Sequence, residues 1–361
     1  MRKILLTGLT ALLLLVGLLG LAQAIPRPAH PAGMPAAPHI VAIERFLDSA
    51  QVGEPWQWEG LTIFPITLNP VRSFGEVLTL DEAAGKGVVT ISEVGSGEVN
   101  RVRVQNRSSR PVFLMAGEAI TGARQDRMVS EDTLLAPHSR AEIAVWCVEH
   151  GRWTGGSEFR SGGFVAPAAV RQRAVAHKSQ SDVWASVAEA QQSAGLGTPR
   201  STSLAEVGKS ERVQQRIAPF REHFAPLPKN NREVAGVIVA YGHEWLAADL
   251  FYQPSLFQRL WPKLLDSYLT DISGRAPIKG RPSVREAEEF LGRLYWASKM
   301  PADNPGEGIR VELRGNNIYG SALVMQSSVV HLEAFPGLQI LEERPGAPSL
   351  QYRRERLEHG R

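Results

Sequence analysis

The residues best suited to chemistry are concentrated in one run of the chain, from Gly117 to Arg127. Six of its residues are the candidates: two glycines, a carboxylate, two guanidinium groups and an amide, namely Gly117, Glu118, Gly122, Arg124, Gln125 and Arg127. Glycine permits positive φ, arginine offers forked donors that suit phosphate or carboxylate, and glutamine can bond an amide or a base edge. The run predicts a turn that binds a polar anionic ligand. The alternative is a β-turn whose Glu118 pairs with Arg124 or Arg127.

A second run, from Cys147 to Trp153, brings a thiol, a carboxylate and an imidazole together. A cysteine nucleophile needs a nearby base. In a strand, Cys147 and Glu149 point to one side and His150 to the other, so a different histidine would be required. The candidates are His138, His177 and His331. Apolar residues occupy both faces of 141–148, which favours a strand covered on both sides and a buried, unreactive thiol.

The two runs are expected to meet in space and line one pocket, because both concentrate glycine, arginine and carboxylate where apolar strands end. In that pocket Arg152 supplies a further donor and Trp153 a stacking face. Glu118 and Glu149 are expected to balance the charge of the arginines. Replacing Arg127 by alanine should weaken ligand binding and change stability little, since an exposed ion pair contributes at most about 1 kcal/mol.

The sequence predicts no bound metal and no cofactor. The nine histidines show neither His-x-x-x-His nor His-x-x-Glu-His spacing, and no Gly-x-Ser-x-Gly elbow, Walker loop or Gly-x-Gly-x-x-Gly fingerprint occurs. With 40 basic and 37 acidic residues, the chain lacks the concentrated basic character that nucleic-acid binding requires. Its single cysteine excludes an internal disulfide.

The elements that must position these runs are mainly strands between Phe64 and Trp153. Alternating apolar residues predict strands at 88–91, 99–104, 112–116 and 141–148, with a short glycine-containing hairpin connection at 95–97. Thr79 and Glu82 have the spacing of a capping box, so a one- or two-turn helix is expected up to Gly85.

The middle of the chain has helical periodicity, and strands return after it. Helices are predicted around 183–188, capped by Ser181 or Asp182, and around 213–224, 256–269 and from Ser283, with bends at Pro219 and Pro262. A hairpin is expected at 234–241 and 244–251, and further strands at 309–313, 319–325 and 329–335. We therefore expect an α+β fold: a β-rich N-terminal half, a helical middle, and a returning hairpin and sheet that close one compact core.

Several stretches together resemble the domain family named for its association with ADP-ribosylglycohydrolases and rhodanese-phosphatases, whose function is largely uncharacterised. The matching stretches are 78–83, Gly117-Glu118, 122–125 with Arg127, 147–149, 151–153 and 264–268. They span roughly residues 60–335. The chain has Arg124 where the family is expected to have lysine, Asp126 where asparagine is usual, and Trp146 where a small residue often precedes the cysteine. The resemblance implies that the two runs form one functional surface, and it associates that surface with ADP-ribose or another NAD-derived molecule.

The N-terminal segment of the chain predicts export. Arg2 and Lys3 precede an apolar run, and Ala22-Gln23-Ala24 has the small-x-small form of a cleavage site, so 1–24 is expected to be a signal peptide. The alternative is an uncleaved N-terminal anchor helix. We expect a Pro/Ala-rich tether and lead-in at 25–55, one domain at 56–340 and a polar tail at 341–361. After cleavage the protein is expected to be periplasmic or secreted, with no stable membrane insertion.

Three functional hypotheses follow. The first is an exported module that binds a small anionic ligand, nucleotide- or ADP-ribose-related. The second is a hydrolase that uses Glu118 or Glu149 as general base, with Cys147 as a less favoured nucleophile. The third is a structural envelope protein whose signature residues only organise the fold.

Overall fold

A computed structural model describes residues 36–69, 75–95, 97–196 and 201–337. The predicted signal peptide at 1–24, the first part of the tether and the polar tail at 341–361 lie outside the described residues. None of the helices in the described ranges is both long and apolar enough to cross a membrane.

Strands make up three sheets in the described part of the chain, numbered here in chain order. They are β1 (Ala50–Val52), β2 (Trp56–Trp58), β3 (Leu61–Leu68), β4 (Leu78–Thr79), β5 (Val89–Glu93), β6 (Arg101–Asn106), β7 (Val112–Leu114), β8 (Glu118–Gly122), β9 (Arg127–Val129), β10 (Thr133–Leu135), β11 (Arg140–Cys147), β12 (Glu158–Val165), β13 (Val234–Tyr241), β14 (Glu244–Phe251), β15 (Ser298–Ala302), β16 (Ile309–Gly315), β17 (Ile318–Met325) and β18 (Ser328–Pro336).

Helices lie mostly between the two groups of strands. They are α1 (Pro38–Ser49), α2 (Leu80–Gly85), α3 (Ala168–His177), α4 (Gln180–Ser193), α5 (Ala205–Lys209), α6 (Glu211–Phe224), α7 (Leu227–Asn230), α8 (Pro254–Ile272) and α9 (Val284–Trp296). The α+β fold class predicted from the sequence is therefore confirmed.

The large sheet has nine strands, in the order β1-β3-β13-β14-β18-β17-β16-β15 with β2 also paired to β3. The predicted hairpin of β13 and β14 has the expected ends, and every residue of β13 is buried. Neighbouring residues of β3 face opposite ways, so Phe64 packs with α1 and α9 while Ile63 packs with α8. The N-terminal β3 thus pairs with the returning hairpin, which closes the core as expected.

The second lobe is a closed barrel with the strand order β11-β6-β5-β12-β8-β9. Its interior is apolar because alternate residues of each strand point inward, as Ile143 and Val145 do on β11. The other face of β11 is largely exposed at Glu142 and Ala144. The expectation that this strand is covered on both sides is therefore wrong. Cys147 is buried because it shares the inward face.

Local capping signals fix several helix starts. Thr79 forms a capping box with Glu82, and Ser283 forms one with Glu286, both as predicted. Helix α4 begins earlier than expected, because Ser179 caps it by accepting from the Asp182 N–H, instead of the predicted Ser181 or Asp182. Both α6 and α8 continue through their internal prolines.

The N-terminal elements α1 and β1 lie in the range assigned to the tether and lead-in. Pro38 occupies the first turn of α1, where its missing N–H costs nothing, and Ile43 and Leu47 are buried on one face. The high proline content of this region favoured the prediction of an extended tether, so the amphipathic face of α1 was not recognised from the sequence. Residues 38–52 are therefore part of the folded domain.

Candidate functional site

The two predicted runs meet at one end of the barrel. Cys147, the last residue of β11, pairs directly with Arg127, the first residue of β9. The turn between β8 and β9 carries Arg124, Gln125 and Asp126 to the same place. The expected contact between the runs is therefore confirmed, and it follows from antiparallel pairing of two strands that end together.

Arg152 is the centre of the hydrogen-bond network at this end. Its Nε donates to Glu149 Oε1 at 2.8 Å, and its Nη2 contacts Glu149 Oε2 at 2.6 Å and Asp126 Oδ1 at 3.2 Å. Its Nη1 donates to the carbonyl oxygens of Ala123 and Thr154. The donors of this guanidinium are already used within the protein, so Arg152 fixes the turn and has little capacity left for a ligand.

The carboxylate oxygens of Glu149 also have hydrogen-bond partners within the protein. Burial by itself would raise the pKa of its carboxyl, but hydrogen bonds from Arg152 and from the Asp126 N–H outweigh burial and hold this pKa below its ordinary value. Ser201 also donates to Oε1 at 3.2 Å. A carboxylate with a lowered pKa and occupied oxygens is poorly suited to remove a proton from a substrate.

Cys147 and Gln125 bond to each other inside the barrel end. The thiol lies 3.2 Å from Gln125 Oε1 and 2.9 Å from the Glu149 carbonyl oxygen, and the Gln125 amide donates to that same carbonyl. Cys147 is completely buried. Gln125 is thus committed to internal contacts, and among the described residues no histidine hydrogen bonds to Cys147.

Arg127 is wholly buried, although an exposed ion pair was expected there from the sequence. Its Nη1 donates to Gln125 Oε1 at 3.1 Å, while Nε and Nη2 have no hydrogen-bond partner among the described residues. Burial lowers the pKa of Arg127, and the nearby Cys147, Glu93 and Asp126 partly offset this effect. The premise of an exposed pair is therefore wrong. Because a buried guanidinium also fills volume, we now expect Arg127→Ala to change stability more than the sequence suggested.

Arg124 and Arg127 both lie against Trp153. Their guanidinium carbons are 5.4 and 5.9 Å from the centre of the indole ring. Arg124 is half-buried and Trp153 is 43% exposed. Within the described chain neither arginine forms an ion pair with a carboxylate. Two guanidinium groups without a carboxylate partner in the described chain therefore lie next to one partly exposed indole ring.

Glu118 lies away from this cluster, at the other end of β8. Its Oε1 accepts from the Lys263 ammonium of α8, and its Oε2 accepts from the Met115 N–H at 2.7 Å. Lys263 also donates to Asp81 at 2.7 Å. Burial raises the pKa of Glu118, although Lys263 opposes the shift. The expectation that Glu118 balances the arginines is therefore wrong: its charge partner is a lysine from a distant helix.

A pocket of about 490 Å³ adjoins the barrel end. Gly122, Asp126 and Arg152 line one part of it, and the apolar side chains of Phe164 and Leu204 line another. The residues that hold the Arg124 turn therefore also form a wall of this pocket. Its mixed lining is typical of sites for small organic molecules.

Sequence reasoning missed a polar network buried between the barrel and the large sheet. We call it the core network, and its members are Asp132, Arg171, Asp249, Tyr268, His331 and Glu333. His331 bonds to Asp132 at 2.8 Å and to Asp249 at 3.2 Å, and Arg171 donates to both Asp249 and Glu333.

The two carboxylates raise the pKa of His331 to about 10 even though burial opposes the shift, so the imidazole is charged at neutral pH. The available sequence signal was a charged residue inside an apolar strand. Asp249 in β14 and both His331 and Glu333 in β18 fit it. Glu93 was missed in the same way: it is buried, and its Oε2 has no partner among the described residues.

The described residues contain no group of three or more histidine, cysteine, aspartate or glutamate side chains placed to hold a metal ion. A family model does match the chain. It is the ARG and Rhodanese-Phosphatase-superfamily-associated Protein domain, ARPP-1, and it covers residues 49–335. The chain belongs to this family. The ARPP-1 match includes both runs at the barrel end and the core network. Searches of curated proteins and of solved structures found no match.

Proposed function

We propose that this ARPP-1 protein is an exported module that binds a small anionic ligand at the barrel end. The observation that carries the proposal is the pair of guanidinium groups on Trp153, neither of which has a carboxylate partner in the described chain. Unpaired cations beside a partly dry aromatic surface favour an anion, because the ligand supplies the missing countercharge.

Arg124 is the first contact in this proposal. It is half-buried, its side chain has no hydrogen bond to a described residue, and it lies on the exposed ring of Trp153. Arg127 lies deeper, and its two unpartnered nitrogens add to the local positive field. Such unpartnered buried donors call for an explanation, and the negative charge of an oxyanion bound at the neighbouring Arg124 would partly compensate the charge of Arg127.

The ligand class follows from the neighbouring surfaces. Trp153 can stack on a planar ring, and the pocket of about 490 Å³ beside Asp126 and Arg152 can hold a further polar and apolar portion. A nucleotide-derived molecule has an anionic group, a sugar and a planar base. The family name supports ADP-ribose-related ligands only through the association that it records.

The hydrolase hypothesis has less physical support. Glu149 has a lowered pKa and occupied oxygens, Glu118 is bound to Lys263, and the Cys147 thiol bonds to a carbonyl oxygen and an amide oxygen. Among the described residues, no histidine hydrogen bonds to any of the three. The structural hypothesis explains Arg152 and Glu118 well, but it leaves the two arginines on Trp153 without a role.

Calorimetric titration tests the proposal with ADP-ribose, AMP, inorganic phosphate and ribose as probes. We expect the phosphate-bearing probes to bind and ribose to bind weakly or not at all. Arg124→Gln should weaken binding about tenfold or more, the loss expected for one charge-assisted hydrogen bond. The matched control is Arg107→Gln, at the opposite end of the barrel. Equal affinities for all variants, or no binding by any phosphate probe, would refute the proposal.

Export is tested separately. The intact mass of the protein from the cell envelope should correspond to a chain that begins at Ile25. A species that retains residues 1–24 and sediments with membranes would support the uncleaved anchor.

A further inference from the structure

A second cavity, of about 250 Å³, lies between the outer wall of the barrel and the large sheet. Ser130 and Trp146 line its barrel side, Lys178 follows the end of α3, and Arg310, Ser321 and Glu333 line its sheet side. It shares no lining residue with the pocket at the barrel end. Clefts between two packed units are frequent places for small-molecule sites.

Glu333 connects this cavity to the core network. Its Oε2 accepts from Arg171 at 2.9 Å and its Oε1 accepts from Ser321 at 3.1 Å. The network holds two cations, Arg171 and His331, against three carboxyl groups. Burial raises the pKa of Glu333, and Arg171 only partly opposes the shift. Glu333 thus brings a carboxyl group of the core network to the cavity wall, where its oxygens can hydrogen bond to a hydroxyl group.

The rim of the cavity has an excess of positive charge. Glu312 is the common partner of Lys178, Arg310 and Arg314. Arg310 also contacts Glu131 at 3.0 Å. Three cations at the rim therefore face two carboxylates, Glu131 and Glu312. An added anion would lower the electrostatic energy of this rim.

The barrel wall contributes a polar group with no present bond. The hydroxyl oxygen of Ser130 is buried and has no hydrogen-bond partner among the described residues. Trp146 lies beside it and is half-buried. Trp146 directly precedes Cys147 in β11, so it faces away from the inward side of the strand and lines this second cavity.

We propose that this cavity is a second binding site, for a small molecule that carries both an oxyanion and a hydroxyl group. The rim cations Lys178, Arg310 and Arg314 bind the oxyanion, and Glu333 and Ser130 hydrogen bond to the hydroxyl. The cavity volume of about 250 Å³ limits the ligand to a small metabolite. For comparison, one water molecule in the liquid occupies about 30 Å³. The pocket at the barrel end has about twice the volume of this cavity.

Three probes separate the contributions of the two chemical groups. Inorganic phosphate carries only the oxyanion, glycerol carries only hydroxyls, and glycerol 3-phosphate carries both. Because the proposed barrel-end site would also bind phosphate, the titration uses the full-length mature protein with Arg124→Gln. It should rank glycerol 3-phosphate above phosphate, and phosphate above glycerol. Lys178→Gln should weaken both phosphate probes several-fold, because Lys178 is exposed and can be replaced without disturbing the core. Arg285→Gln removes one exposed positive charge from α9 and should leave all three affinities unchanged.

Ser130→Ala tests the hydroxyl contact, because it removes an unpartnered hydroxyl group from the cavity wall without changing the charge. It should reduce the preference for glycerol 3-phosphate over phosphate while leaving phosphate binding itself nearly unchanged. An unchanged preference in Ser130→Ala would contradict the hydroxyl contact. Equal affinity with and without Lys178→Gln, in the Arg124→Gln protein, would overturn the proposal. So would loss of binding in Arg124→Gln alone, because the probes would then bind at the barrel end.

Discussion

Gly117 lies directly against the side chain of Arg171: a β-carbon at position 117 would be 2.8 Å from Cδ of that arginine. Arg171 reaches Asp249 and Glu333 only by passing this glycine. Gly117 also has a φ of +89°, a conformation that side chains rarely adopt. Gly117, the first glycine of the run from Gly117 to Arg127, therefore makes room for the core network between the barrel and the large sheet. It does not belong to the turn at the barrel end.

Gly117→Ala should destabilise the protein by about 2 kcal/mol or more beyond the cost of its φ alone, because Arg171 must move away from buried carboxylates. Gly151→Ala is a matched control, since Gly151 has a φ of +90° and a β-carbon there would meet no atom within 4 Å. Urea denaturation measures both variants. Equal losses for the two glycines would show that the contact with Arg171 does not matter.

Arg152→Lys should destabilise the barrel end although it preserves the charge. Lysine cannot satisfy Glu149, Asp126 and the Ala123 carbonyl at once, and each buried acceptor left without a donor costs about 1–3 kcal/mol. Arg124→Lys, which keeps the charge next to Trp153, should change the free energy of unfolding by only a few tenths of a kcal/mol. Thermal denaturation of the two variants checks this contrast. A stable Arg152→Lys protein would return Arg152 to the set of candidate ligand contacts.

Much of the fold was predictable because its signals are local. Strand periodicity located β13 and β14, and capping boxes located the starts of α2 and α9. The meeting of the two runs was predictable too, since both follow apolar strands.

The partners of single side chains were not predictable, because they depend on elements far apart in the chain. Glu118 and Arg127 belong to one run, yet β8 separates them, and Glu118 pairs with Lys263 of α8. Arg171, Asp249 and Glu333 come from a helix and two strands that the fold brings together. No sequence spacing records such a contact, so the core network could be found only in three dimensions.

The Cys147 thiol should react slowly in the native protein. It is completely buried, and it lies within bonding distance of Gln125 and of the Glu149 carbonyl oxygen. A thiol reagent at neutral pH should label it only after denaturation, when the whole population reacts. Rapid labelling under native conditions would contradict this assignment and would favour the cysteine nucleophile of the hydrolase hypothesis.

The free energy of unfolding should fall as the pH rises above neutral, because His331 has a higher pKa in the folded state than in the unfolded state. Asp132 and Asp249 raise its folded pKa to about 10, whereas an unfolded histidine titrates near 6.5. Its contribution is therefore complete below about pH 6.5 and is lost as the pH approaches 10. The raised pKa of the neighbouring Glu333 has the same sign, but its pH window begins at the ordinary glutamate value of 4.5, below the window of His331.

The free energy of unfolding, measured by urea denaturation between pH 6 and pH 10, tests this prediction. In His331→Gln the free energy of unfolding should decline much less over this range. In His243→Gln, which alters an exposed histidine, it should decline as in the unaltered protein. A flat profile for the unaltered protein would mean that His331 is not charged in the folded state.

The ion pair of Lys263 and Glu118 should show strong coupling. Lys263→Met leaves the buried carboxyl of Glu118 without its cation, and loss of one partner from a buried pair costs about 3–5 kcal/mol. Glu118→Gln alone leaves the lysine near Asp81 and should cost less, because glutamine can still accept from the Met115 N–H. The double variant should recover a large part of the loss, since it buries no unpaired charge at position 118.

The pH dependence of the single variant provides an independent check. In Lys263→Met, Glu118 must take up a proton on folding, because burial raises its pKa and no cation opposes the shift. That variant should therefore gain stability relative to the unaltered protein as the pH falls towards 5, and the double variant should not. A double variant whose loss equals the sum of the two single losses would show that Lys263 and Glu118 act independently. Their contact between the barrel and α8 would then be incidental to the fold.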